Sequence, residues 1–282
     1  MTNLQTRLIL FVVGIPLLFA LVVLLPQWNH LGFNIFLLLV SAFTGLEMGG
    51  IIRAAGLPYE APRPVSLLLG AAFPAAALAA VMGWIEWSTG MAITLVTVTM
   101  LSAAAQVFRR AATLPRAVGS VGALLLLGIY PGLFMAYVIR ISSLPNASIL
   151  LLVFIASVFF NDASAYAAGL AFGSRRNIVA VSPNKSLIGF IVGLLVSPFV
   201  LMMASIIPGS GIPFLPARLV FFGLAVGVAT IIGDLLESAF KRAAQVKDSG
   251  HIIPGRGGFL DSIDSPIFAA PVFFHLYQLL FL

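Results

Sequence analysis

Long apolar runs separated by short polar stretches dominate the chain. Nine stand out, at roughly 8–26, 32–52, 65–85, 90–108, 118–139, 148–170, 187–207, 217–240 and 266–282. They are continuous rather than alternating, which predicts helices and argues against a β-barrel. Most approach the ~20 residues that a helix needs to cross a bilayer core. In lipid a helix satisfies its own backbone groups, so such runs fold as helices. The first run reads as a retained helix rather than a cleaved leader, because no small-residue cleavage site follows it. The last is short and carries Pro266 and Pro271, which leaves a tilted or partly re-entrant course open. Eight spans is the alternative count. No fixed-period repeat interrupts the series.

Composition strengthens this picture. Apolar residues make up 61% of the 282 and charged residues 9%, against about 25% charged in a soluble domain. Too few polar side chains exist to cover a soluble surface. The absence of cysteine excludes thiolate catalysis, a disulfide scaffold and Cys-built zinc or iron–sulfur sites. The expected fold class is all-α: a polytopic integral membrane protein of about nine transmembrane helices. Residues 1–145 form the N-terminal helices. Residues 146–282 form a C-terminal region with polar loops at 174–186 and 241–265.

The cations orient it. With the N-terminus cytoplasmic and nine alternating spans, the inner side holds Arg7, Arg53, Arg63, Arg109, Arg110, Arg116, Arg175, Arg176, Lys185, Lys241, Arg242, Lys247 and Arg256. The outer side holds only Arg140 and Arg218. This is a strong positive-inside bias. The net charge of +6 is then explained by topology and anionic headgroups, and no nucleic-acid partner is expected.

Acids inside spans are costly and mark function by default. Glu47, Asp162 and Asp234 fall at similar depth, in the cytoplasmic third of their helices, which predicts one shared polar cavity. Asp234, Glu237, Ser238, Lys241 and Arg242 share one helical face. That face starts acidic within the membrane and ends basic at its surface, as suits a metal ion held with phosphates. Downstream, Gly255, Gly257 and Gly258 surround Arg256 and let backbone N–H groups approach an anion. Asp261 and Asp264, three apart, offer hard oxygen ligands of the kind Mg²⁺ takes.

The full string is Ser238-x-Phe240-Lys241-Arg242, then Lys247-Asp248, then Pro254-x-Arg256-Gly257-Gly258-x-x-Asp261-x-x-Asp264. It resembles the signature of the phosphatidate cytidylyltransferase (CDP-diacylglycerol synthase) family. Asp162-x-x-x-Tyr166 through Gly173, with Ser182-Pro183-Asn184-Lys185-Ser186, resembles a second family segment. Three positions depart: Arg256 stands for the usual His, Ser262 for Arg, and Ile188 for an acid. The resemblance covers about residues 160–265.

It implies transfer of CMP from CTP to phosphatidate, giving CDP-diacylglycerol and pyrophosphate for phospholipid synthesis, at a bacterial inner membrane with the site facing the cytoplasm. Asp234, Lys247, Asp248 and Asp261 are then the expected catalytic residues. Ser182, Asn184, Lys185, Ser238, Lys241, Arg242, Arg256, Gly257 and Gly258 are expected to bind substrate. Mg²⁺ would sit on Asp234 and Asp261, with Asp264 a further ligand and a second cation open. CTP and membrane phosphatidate are the expected partners. Small-residue helix faces are compatible with a homodimer. Transfer to another lipid phosphate or a polyprenyl alcohol, ion-coupled transport, and an inactive scaffold stay open as alternatives.

Overall fold

A computed structural model describes residues 12–58, 61–253, 255 and 257–282. Among these residues every regular element is helical. They are α1 (Val12–Leu24), α2 (Gln27–Ala54), α3 (Arg63–Val81), α4 (Trp87–Val107), α5 (Ala111–Ile141), α6 (Ala147–Phe172), α7 (Leu187–Ser205), α8 (Pro216–Ala243) and α9 (Leu260–Phe281). The helices α2 to α8 are long and apolar enough to cross a membrane; α1 is apolar but shorter. The last apolar run is not short: α9 spans 22 residues. It starts upstream of the expected span and brings Asp261 and Asp264 onto a helix.

The backbone clusters into two compact units. The first holds residues 1–142 and 240–263, the second residues 143–239 and 264–282. A boundary at 145/146 would leave the polar segment after α8 with the C-terminal region. Instead, Phe240–Ile263 clusters with the N-terminal helices.

In the first unit α2 and α3 touch backbone to backbone. A Cβ on Gly45 would lie 2.9 Å from the Cα of Gly70 and 2.5 Å from the Ser66 carbonyl oxygen. Only glycine permits this approach. The buried Ser41 hydroxyl donates toward the carbonyls of Gly70 (2.7 Å) and Pro131 (2.8 Å). Pro131 interrupts α5 in a π-turn, Gly128–Leu133; proline lacks the N–H that an α-helix would use there. The polar segment is pinned at both ends by rings. Phe240 meets Tyr130 edge-on at 5.4 Å, and Phe259 stacks on Phe43 at 6.0 Å.

In the second unit α6 and α7 are equally close. A Cβ on Gly189 would sit 2.6 Å from the Ala165 carbonyl oxygen. The amide of Asn161 donates to Ser197 Oγ at 3.1 Å, tying the two helices together where both are buried. Phe273 of α9 packs against Phe154 and Phe222 at ring distances of 5.2 and 5.0 Å.

Candidate active site

The 174–186 loop carries one set of expected residues. Arg176 folds back on the end of α6: its Nε donates to the Gly173 carbonyl (3.2 Å) and an Nη to that of Gly169 (3.4 Å). These carbonyls lie at the helix C-terminus, where a cation is favoured. Asn177 N–H donates to Pro183 O at 2.9 Å, and Lys185 N–H to Ser182 O at 3.2 Å. This turn brings Lys185 back over the helix ends. Ser186 then caps α7 by accepting from Gly189 N–H at 3.2 Å.

The result is a cavity of about 510 Å³ whose lining includes Asp162, Tyr166, Arg176, Asn184, Lys185 and Asp234. Lys185 Nζ pairs with Asp234 Oδ2. Asp162 and Asp234 thus share a cavity, as their depth predicts. Ala165, Leu170, Phe190 and Ile231 supply apolar wall. One pocket can therefore receive a phosphate on its cations and a hydrocarbon stem on its greasy side. Carboxylate and amide oxygens are the donor chemistry that suits Mg²⁺. Among the described residues no three His, Asp or Glu side chains form a ready-made metal cage. An ion held here would draw on water and phosphate for most of its shell.

The other set sits in the first unit. Helix α8 ends at Ala243, and Gln245 turns the chain with a φ of 55°. The segment continues to a one-bridge hairpin in which Ile253 and Gly257 exchange backbone bonds of 2.8 and 3.0 Å. Gly257 has a φ of 113°, a backbone form that side-chain-bearing residues avoid. Asp261 is the hub. Its Oδ1 accepts from Lys241 Nζ at 2.7 Å. Its Oδ2 accepts from Ser249 N–H (2.9 Å), Ser249 Oγ (2.7 Å) and Gly258 N–H (2.8 Å). The Asp261 side chain is only 8% exposed, and charge-assisted bonds of this kind are the strong ones.

Lys247, Asp248 and Arg242 are exposed; Ser182 and Ser238 are half-buried. Asp264 Oδ1 accepts from the next residue's N–H, Ser265, at 2.8 Å. Asp261 belongs to the first unit, and Asp234 and Asp264 to the second. Arg256 lies outside the described residues.

Three contributions escape a reading of the sequence. Arg176 counts there only as a topology signal. Ser249 carries no charge to flag it. Glu47 is flagged, but for the wrong place. It does not line the cavity with Asp162 and Asp234; its carboxylate accepts from Ser249, Phe259 and Leu260.

These features define a helical membrane protein that mounts carboxylates and lysines together, chemistry suited to phosphate-bearing ligands and a hard cation. The profile of the cytidylyltransferase family matches residues 5–280, and the chain belongs to that family. An uncharacterized protein of Escherichia coli, YnbB, is 38% identical over 138 residues, 49% of this chain and 45% of that protein. The phosphatidate cytidylyltransferase of Bacillus subtilis is 34% identical over 160 residues, 56% and 59% of the two chains. That of Haemophilus influenzae is 43% identical over 134 residues, 46% and 45%. The matched stretch thus spans about half the length of these relatives.

Proposed function

We propose that the protein transfers CMP from CTP to phosphatidate, forming CDP-diacylglycerol and releasing pyrophosphate. An oxygen of the lipid phosphate attacks the α-phosphorus of CTP. The bond from that phosphorus to the bridging oxygen of the β-phosphate breaks, and pyrophosphate leaves with the electron pair. Two polyanions must meet, so charge is the main obstacle. Fixed cations lower the barrier by offsetting charge on the leaving group.

The observation that carries the reading is the Asp261 hub. It binds Lys241 and the glycine hairpin into one unit of the kind that cradles a polyphosphate. In this reading Lys241, Arg242, Lys247 and Arg256 contact CTP phosphates, with the Gly257 and Gly258 amides beside them. Ser182, Asn184, Lys185 and Arg176 receive the lipid phosphate in the second unit's cavity, while Asp162 lines it. Asp248 and Ser238 support the hairpin and helix end. The family resemblance makes Asp234, Asp261 and Asp264 the candidate Mg²⁺ ligands, and the ion when bound would neutralise phosphate charge as a Lewis acid. With the carboxylates engaged by the ion, Lys185 and Lys241 would be free to contact phosphate oxygens. No nucleophilic side chain is required, because the attacking phosphate is already an oxyanion.

The reading includes nine crossings, a cytoplasmic N-terminus and a site facing the cytoplasm of a bacterial inner membrane. There the lipid stays in the bilayer while its headgroup meets CTP. Nucleic acid has no part in it. Small-residue faces are compatible with a homodimer. A second reading, transfer to a different lipid acceptor, has one observation in its favour. Ser262 stands where the family usually has Arg, and its hydroxyl is buried with no hydrogen-bond partner among the described residues.

The test is purified protein in detergent with labelled CTP, Mg²⁺ and phosphatidate. Label should enter the lipid phase with equimolar pyrophosphate. Asp261→Asn should lower the rate by about a hundredfold or more, as loss of a fixed electrostatic partner does. Label on another lipid acceptor but none on phosphatidate would favour the second reading. No labelled lipid of any kind would sink the enzyme.

A further inference from the structure

Glu47 stands in the middle of α2 and is 6% exposed, yet no lysine or arginine among the described residues pairs with it. Its partners lie more than two hundred residues downstream. Oε1 accepts from Phe259 N–H at 3.0 Å. Oε2 accepts from Leu260 N–H at 2.8 Å and from Ser249 Oγ at 3.3 Å. Phe259 and Leu260 are the residues at which α9 begins. The first N–H groups of a helix have no partner within it and favour a negative charge. Glu47 therefore caps α9 from another helix.

The fit is close on every side. A Cβ on Gly250 would lie 2.7 Å from Glu47 Oε1, and one on Gly258 would run into both Oε2 and Ser249 Oγ. The Ser249 hydroxyl bridges Glu47 and Asp261. Asp261 sits one residue past the amide that Glu47 holds.

We propose that Glu47 is a positioning residue for the transfer reaction. Acting through Ser249 and the first turn of α9, it fixes the Asp261 carboxylate and the glycine hairpin in working register. This rests on the CTP-dependent reading above. The carboxylate has the right shape for the task. Its two oxygens face two successive backbone N–H groups, one each, with Ser249 Oγ beside Oε2. Glutamine would turn an N–H₂ toward N–H donors. Aspartate would fall short by one methylene.

The experiment compares wild type with Glu47→Gln and Glu47→Asp in detergent. It follows amide hydrogen exchange and steady-state kinetics together. Exchange across residues 247–262 should accelerate in Glu47→Gln while α3 and α4 peptides stay unchanged. kcat should fall about ten- to a hundredfold, because displacement near 1 Å at the reacting centre costs this much. KM for phosphatidate should hold. Glu47→Asp should recover part of the lost kcat at the same folded fraction.

Unchanged exchange over 247–262 in Glu47→Gln would overturn the proposal. So would unchanged kcat, or a loss of kcat that merely tracks a lower folded fraction. A wild type that labels no lipid would defeat the CTP reading. The exchange comparison would then decide the Glu47 clasp by itself.

Discussion

At the scale of single residues, Asp261 and Gly258 show how little slack the site has. Asp261 Oδ2 accepts three donors within 2.9 Å, and Gly258 donates one of them while leaving room for Glu47. Replacing Gly258 by Ala puts a methyl group into two hydrogen-bonded side chains. Overpacking of this kind costs about 1–3 kcal/mol. Gly258→Ala should therefore lower Tm in a detergent thermal-shift assay and remove most lipid labelling. Wild-type Tm and turnover in that variant would show that the clasp is loose.

Lys241, Gly257, Gly258 and Asp261 were legible through the resemblance of the whole string to the family signature, since a glycine-rich loop with two acids is by itself an ordinary turn. The role of Glu47 was not legible. Depth follows from counting residues along a helix, but the direction a side chain faces depends on what packs around that helix. Asp162 and Asp234 line one cavity, whereas Glu47 holds the start of α9.

At the scale of elements, helix ends do most of the positioning. Arg176 closes α6, Ser186 opens α7, and Glu47 opens α9. Sequence reading placed Asp261 in a loop because the apolar run begins only near Pro266. The helix starts earlier, where the cap lies, and the cap comes from far away in the chain. A local cap behaves differently. Glu86 opens α4, accepting from Thr89 Oγ at 2.9 Å and Thr89 N–H at 3.1 Å, as well as from the hydroxyl and N–H of Ser88.

The Ser88 hydroxyl first, then the Thr89 hydroxyl and the two N–H groups, hold the Glu86 carboxyl at about 2, below its ordinary 4.5. Folding thus favours the charged form. Its contribution is complete above pH 4.5 and disappears as pH falls toward 2. The Tm difference between wild type and Glu86→Ala should be constant near neutrality and shrink across that acid window. A difference independent of pH would mean that the carboxylate is not the cap.

At the scale of the whole molecule, apolar length and cation placement carry the fold class. Helices α2 to α8 are long and apolar enough to cross a bilayer, and charged residues are too scarce to suit any other setting. The proposed orientation has a direct check, because the chain contains no cysteine and single thiols can be introduced without background. Ser174→Cys and Pro208→Cys both occupy exposed positions. A membrane-impermeant maleimide should label Pro208→Cys in intact cells and Ser174→Cys only after the membrane is opened. The reverse pattern would invert the topology and put the site on the outer face.

The Glu47 clasp also sets an order of events during biogenesis. Its backbone partners are 212 and 213 residues away. At about 5–20 residues per second of synthesis, that separation corresponds to roughly 10–40 s. Throughout that interval an acid has entered an apolar helix, and the amides that will receive it have not been made. Until α9 begins, the Glu47 carboxylate lacks the two backbone donors that hold it in the folded chain. The first turn of α9 then supplies both, so the two ends of this long stretch of chain are joined only after everything between them has been made.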